Sequence, residues 1–244
     1  MLPIRYINLD RDVQRRECME AEFSRLALEG ERFPAVLWTA LSAPEQAAMY
    51  SEALNASQFH KPLVNGEKGC YASHLGLWRW LLDSPHAALI VLEDDVRLRN
   101  DFGAVAEAIS AREHNWDMVK LIGRNGLGKS EKLSARKPLC EGYSLVTYRR
   151  IPSLTAGYAI SREGARKLLD KRKPFGRPID VDLRHWWECD SLKVLGLDPA
   201  AIELDETSLE SSIGAKIEEA SLRNKWRKFQ HKLNYSVKNT WYRK

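Results

Sequence analysis

ALIVLEDDVRL, residues 88–98, sets five apolar side chains directly before three acidic ones. A carboxylate taken out of water without a partner costs several kcal/mol or more, so Glu93, Asp94 and Asp95 are expected where solvent or a cation meets them. The apolar half reads as a strand that delivers this triplet at its carboxyl end. In open α/β sheets the ligand crevice lies outside that end of the strands, so position and chemistry agree.

Working outward, apolar runs rich in Ile, Val and Leu alternate with helical patterns, the mark of an α/β domain on a mainly parallel sheet flanked by helices. IRYINL (4–9) reads as the first strand, and Asp10 is placed to cap a helix over about residues 11–29 that stops at Gly30. FPAVLW is expected as a second strand. Ser42 and Glu45 make a capping box for a helix reaching Leu54. YASHLGLWRWLL lies in a third helix, over about 66–83, apolar enough to pack on two sides. DMVKLI reads as a strand and residues 123–142 as a loop. TAGYAIS ends in Ser161, which caps the helix REGARKLLDK, and PIDVDLRHWWECD reads as helical before the strand LKVLGL.

The chain has 244 residues, 44% hydrophobic and 29% charged, which excludes a disordered chain and suits one large domain or two small ones. Four cysteines without a C-x-x-C pair suggest reduced thiols. The start MLPIRYINLD lacks the basic head and apolar centre of a secretion signal, and no apolar stretch reaches the roughly 20 residues of a membrane span. A cytoplasmic location is expected. Residues 216–244 carry nine Lys/Arg and two Glu, or +7 of the net +5, so everything before them sums to −2.

Oxygen ligands at a sheet's lip suit Mg2+ or Mn2+, hard cations that share their coordination with phosphate oxygens. In an extended segment Glu93 and Asp95 point one way and Asp94 the other, which favours Glu93 with Asp95 as a nucleotide–metal pair. The plainer alternative is a solvated turn ahead of the helix that begins near Asp101.

INLDRDVQRR (7–16), GEKGCYASHLGLWRW (66–80), ALIVLEDDVRL, DMVKLIG (117–123), TAGYAISREGARKLL (155–169) and RPIDVDL (177–183) follow one another in the order and spacing of a known family. Together they resemble glycosyltransferase family 25, of the bacterial lipooligosaccharide galactosyltransferase type, over about residues 4–213. That resemblance implies a GT-A-like, Rossmann-like domain over residues 1–214, followed by a basic amphipathic tail over 215–244. It also implies a UDP-sugar donor, usually UDP-galactose, a divalent metal such as Mn2+, and inverting transfer to a lipooligosaccharide or related glycan or glycolipid.

The E-D-D then resembles the family's D-x-D motif, with Asp95 the first metal ligand and Glu93 near the ribose or the metal's second side. Asn8 and Arg11 stand where the family's uridine pocket lies, and Arg15 and Arg16 follow, one arginine facing the diphosphate. Asp94 is grouped with these on the nucleotide side. Inversion needs a base opposite the leaving group. Asp180 and Asp182 are the candidates, and Asp182 is favoured, with His185 one turn on as a metal ligand or as the residue that orients Asp182. Ser73 and His74 belong to the family's signature helix, where a lone His on an apolar helix is more often structural.

Two rivals come from other classes. GRNGLGKS, Gly123–Ser130, satisfies the P-loop pattern of a nucleotide hydrolase, but the following EKLSARKPLC is weakly periodic and broken by Pro138. The basic tail suggests an adaptor, yet the near-neutral body offers no basic groove, so nucleic acid is not expected as a partner. Leu222, Trp226, Phe229, Leu233 and Val237 recur at steps of four, three, four and four. A helix would gather them into a stripe flanked by Lys and Arg, able to rest on an anionic membrane surface at the cytoplasmic face of an inner membrane, or else to pack on the protein itself.

Overall fold

The computed structural model describes residues 1–112, 115–123, 131–205 and 222–243. A sheet of eight strands carries the fold, with the order β2 (Glu31–Pro34), β1 (Ile4–Asn8), β3 (Ala88–Glu93), β8 (Gly157–Ser161), β5 (Met118–Lys120), β9 (Val194–Asp198), β7 (Tyr143–Tyr148), β6 (Leu133–Cys140). The α/β class expected from the alternating pattern holds. Strand direction is mixed, because only β1–β2, β1–β3 and β5–β9 pair in parallel while β8, β7 and β6 run antiparallel to their neighbours. A small antiparallel pair, β4 (Val96–Leu98) with β10 (Ile202–Leu204), closes over the end of β3.

Pleating divides the core. Ala88, Ile90 and Leu92 of β3 pack with α1 (Val13–Arg25) and α5 (Phe102–Ala111). Leu89 and Val91 pack on the other face with α4 (Asn65–Asp83) and α6 (Arg162–Lys171). Burial of these side chains, each worth roughly 1.5–3 kcal/mol, fixes the register of β3 and hence the direction of the acidic side chains after it.

Helix α4 is stitched to the segment after β2. A Cβ on Gly69 would lie 2.5 Å from the Val36 carbonyl oxygen, so only glycine lets the two backbones meet. Ser73 Oγ accepts from Val36 N–H at 2.8 Å and donates to the Gly69 carbonyl at 2.8 Å. Glu67 accepts from Val64 N–H at 2.9 Å at the start of the helix. Much of the string GEKGCYAS is therefore explained by packing.

Several boundaries differ from expectation for local reasons. Helix α1 begins after Asp12, not Asp10, and ends before Gly30 because Ala27 takes the left-handed turn at φ 51°. The capping box at Ser42 and Glu45 opens α2 (Ala43–Met49), but the helix breaks at Tyr50, where the chain bridges to Phe175, and resumes as α3 (Glu52–Gln58). The expected 123–142 loop contains strand β6. The segment from Pro178 forms only one helical turn, α7 (Ile179–Asp182), before a 3₁₀ turn at Trp186–Glu188. The four cysteines are free.

The tail forms α8 (Leu222–Trp241). Its buried side chains are Tyr235 and Asn239, and it rests on the body through them. The expected apolar stripe does not pack inward: Trp226, Phe229, Leu233 and Val237 are each more than half exposed. Among the described residues no helix is long and apolar enough to cross a membrane. The 214/215 division and the P-loop-like residues 124–130 lie outside the described residues.

Candidate active site

β3 ends at Glu93, and the chain turns through Asp94 and Asp95 into β4. The three carboxylates separate as pleating requires. Asp94 turns toward α1, where it accepts from Asn8 Nδ2 at 2.7 Å and meets Arg15 at 3.1 Å. Asn8 is itself held by Arg32 Nε, which donates to its side-chain oxygen at 3.0 Å. Of the arginines near the first strand, Arg15 is the one that reaches the triplet. Arg11 is exposed beside Asp12 at 3.8 Å, and Arg16 lies along α1 at 4.0 Å from Glu20, so the structure does not bring either to the carboxylates.

Glu93 turns the other way, toward α4. It accepts from Thr155 Oγ1 at 2.6 Å, and His74 Nε2 stands 3.7 Å from the same oxygen. Burial pushes its carboxyl up, but His74, Thr155 and Lys120 outweigh this and hold it below the ordinary carboxylate value. His74 is completely buried behind it. Trp78 Nε1 donates to the Tyr158 hydroxyl at 2.9 Å, and that hydroxyl lies 2.7 Å from His74 Nδ1. The one arrangement that uses every proton has Tyr158 donating to Nδ1, which assigns the ring proton to Nε2 and aims it at Glu93. His74 thus positions a site carboxylate from beneath, a role between the structural and the direct reading.

Asp95 is the unsatisfied member. Its Oδ1 is buried with no hydrogen-bond partner among the described residues, while its main-chain carbonyl accepts from Asp205 N–H at 2.8 Å. Burial, and then the charge of Glu93, push its carboxyl up to about 7. Two carboxylates this close, one with an orphaned oxygen, form a place where a cation lowers the free energy of the folded chain. The donors are hard oxygens, so the residues present fit Mg2+ or Mn2+. A second cluster shares Glu93: its carboxylate, Cys70 Sγ and a His74 ring nitrogen lie within 4.8 Å of one another. Burial holds the Cys70 thiol well above its usual value, against its acting as a thiolate ligand.

Across the crevice stands Asp180 at the start of α7. Burial lifts its carboxyl to about 6, Glu93 adds to the lift, and Lys120 and Arg184 oppose it. Lys120 was not anticipated. It sits on β5 with 1% exposure, donates to the carbonyls of Pro152, at 2.9 Å, and Leu154, and burial lowers its amine to about 8 against the pull of Asp180 and Glu93. The one available signal was a lysine inside the otherwise apolar DMVKLI.

The preference for Asp182 over Asp180 is corrected by the structure. Asp182 is 2% exposed and enclosed: the Tyr71 hydroxyl donates to Oδ2 at 2.6 Å, and Arg177 Nε and Arg172 NH1 lie 2.8 and 3.2 Å from Oδ1. Glu188 joins the same two arginines, making a charge-balanced quartet that pins α4, the end of α6 and α7 together. A carboxylate so enclosed cannot reach an acceptor hydroxyl. His185 is likewise removed from the metal. Its Nδ1 stands 3.0 Å from the Val181 carbonyl, its ring packs on Trp187 and Tyr235, and burial lowers it to about 4.

The sequence model described as Glycosyltransferase family 25 (LPS biosynthesis protein) matches residues 1–183. A glycosyltransferase 25 family member of Anopheles gambiae is 33% identical over 184 residues, covering 72% of this chain and 30% of that protein. Procollagen galactosyltransferase 2 of Mus musculus is 29% identical, covering 80% and 34%. A human relative named inactive glycosyltransferase 25 family member 3 is 28% identical, covering 72% and 30%. The chain therefore spans about a third of the length of these relatives. Among solved structures, a glycosyltransferase involved in glycosylation of the PBCV-1 major capsid aligns over 68% of this chain and 62% of that one, with 9% identity and a TM-score of 0.32.

Proposed function

The chain belongs to glycosyltransferase family 25, and from that premise we propose that it is a UDP-sugar-dependent hexosyltransferase, moving galactose from UDP-galactose with inversion. In this reading the acceptor is a hydroxyl of a lipooligosaccharide or related glycan, and Asp95 and Glu93 hold Mn2+ or Mg2+. The observation that carries the reading is the orphaned, buried oxygen of Asp95 beside Glu93 at the end of the central strand. A bound cation would offset the negative charge that grows on the departing nucleoside diphosphate.

The chain's own residues supply the remaining roles. Asp180 accepts the acceptor hydroxyl's proton as the new bond to the sugar's anomeric carbon forms and the bond to the diphosphate oxygen breaks. A carboxyl near 6 stays ionised at neutral pH and is a stronger base than an ordinary aspartate. Asn8, Asp94 and Arg15 frame the nucleotide side, bonded to one another and so preorganised. Lys120 offsets the acidic crevice from below and fixes the Pro152–Leu154 turn beside Thr155.

A panel of UDP-sugars with Mn2+ and no acceptor tests the proposal through slow release of UDP. UDP-galactose is expected to be hydrolysed fastest. Equal inertness of every donor, with and without Mn2+, would count against a transferase and align the chain with the inactive relatives.

A further inference from the structure

An amphipathic helix normally docks through its apolar face, and α8 does the reverse. Arg227 donates to the carbonyls of Ala56 and, at 2.6 Å, Phe59. Tyr235 is buried with the Arg184 guanidinium 4.6 Å from its ring centroid and the rings of His185 and Trp187 at 5.3 and 5.5 Å. Asn239 donates to the Arg149 carbonyl at 3.0 Å and accepts from Trp186 Nε1 at 3.3 Å. These polar and aromatic contacts hold the helix in one rotation and leave its apolar stripe outside.

The stripe is continuous. Trp226, Phe229, Leu233, Val237 and Trp241 are 61, 56, 55, 59 and 74% exposed, and at 3.6 residues per turn they share one face over roughly 22 Å of helix. Lys225 and Lys232 flank it on one side and Lys238 on the other, all exposed, and residues 222–241 contain no acidic side chain.

We propose that this face is a docking surface for an anionic lipid bilayer, with the helix lying in the headgroup plane and its lysines on phosphate. Charge selects this occupant. A second copy laid against the stripe would bring lysine rows of the same sign together, whereas an anionic leaflet meets both rows with opposite charge. Tryptophans near both ends of an apolar strip suit the boundary between headgroups and acyl chains. The contacts also set the orientation: Tyr235 touches Arg184, which acts on Asp180, so the docked face lies one side chain removed from the crevice wall. The inference rests on the helix alone and not on the transferase reading.

Flotation of the full chain with vesicles tests it. Binding is expected to phosphatidylcholine vesicles containing about a third phosphatidylglycerol, weakening as salt rises, and not to pure phosphatidylcholine. Lys225→Gln, Lys232→Gln and Lys238→Gln together should weaken it by roughly a hundredfold, at about 1 kcal/mol per lysine and 1.4 kcal/mol per tenfold. Phe229→Ser with Leu233→Ser and Val237→Ser should abolish it while leaving the thermal midpoint in place, since these side chains pack on nothing. Undiminished flotation of either variant would overturn the proposal. So would absence of lipid binding together with a wild-type dimer that the serine variant dissolves, which would assign the stripe to a second copy.

Discussion

Asp95 concentrates the conflict between stability and function in one side chain. Its carboxyl is raised to about 7 against an ordinary value of 3.8, so ionising it costs the metal-free fold stability as pH rises from 4 toward 7. Asp95→Asn is therefore expected to leave the metal-free chain as stable at pH 7 or more so, and to abolish the rise in thermal midpoint that Mn2+ gives the wild type. Differential scanning fluorimetry with and without Mn2+ checks both halves. Cys70→Ser should leave that rise in place, because the soft cluster beneath is not the cation site. Asp180 carries the complementary prediction. Asp180→Asn should lower turnover by roughly a hundredfold or more while shifting UDP-sugar affinity little, and the acid limb of wild-type activity should fall near pH 6. A pH–rate profile unchanged by the substitution would remove Asp180 as base.

At the scale of elements, local patterns were readable and long-range pairings were not. The apolar run of β3 and its acidic end required no knowledge of the rest of the chain. The strands β6 and β7 escaped notice because LSARKPLC lies mostly exposed and carries the lysines and arginines of a loop. Asp182 looked like a base because its enclosing partners, Tyr71, Arg172 and Arg177, cannot be paired with it from spacing, Tyr71 lying 111 residues away. The period of α8 showed the stripe but not which face meets the body, since docking uses Tyr235 and Asn239 rather than the apolar residues. The quartet yields an element-scale prediction. Removing Asp182 leaves Arg172 and Arg177 buried with one carboxylate between them, so Asp182→Ala should destabilise by about 3–5 kcal/mol in urea unfolding. Glu188, held down to about 2 by its arginines although burial opposes them, stabilises the fold fully above its ordinary value of 4.5. That stability is lost as pH falls from there through 2.

For the whole molecule, the parallel strands β2, β1 and β3 bring Asn8, Asp94 and Glu93 to one edge, and the antiparallel half brings Lys120 and Thr155 to meet them. The central claim is that this edge binds a nucleoside diphosphate through a cation held by Asp95 and Glu93. Calorimetric titration of UDP into the full chain, with Mn2+ and with chelator, tests it most directly. Wild type should bind UDP with Mn2+ and lose at least tenfold in affinity without it, and Asp95→Asn should bind at the chelated level under both conditions. Equal UDP affinity of the two chains with Mn2+, or wild-type binding indifferent to the chelator, would contradict the account.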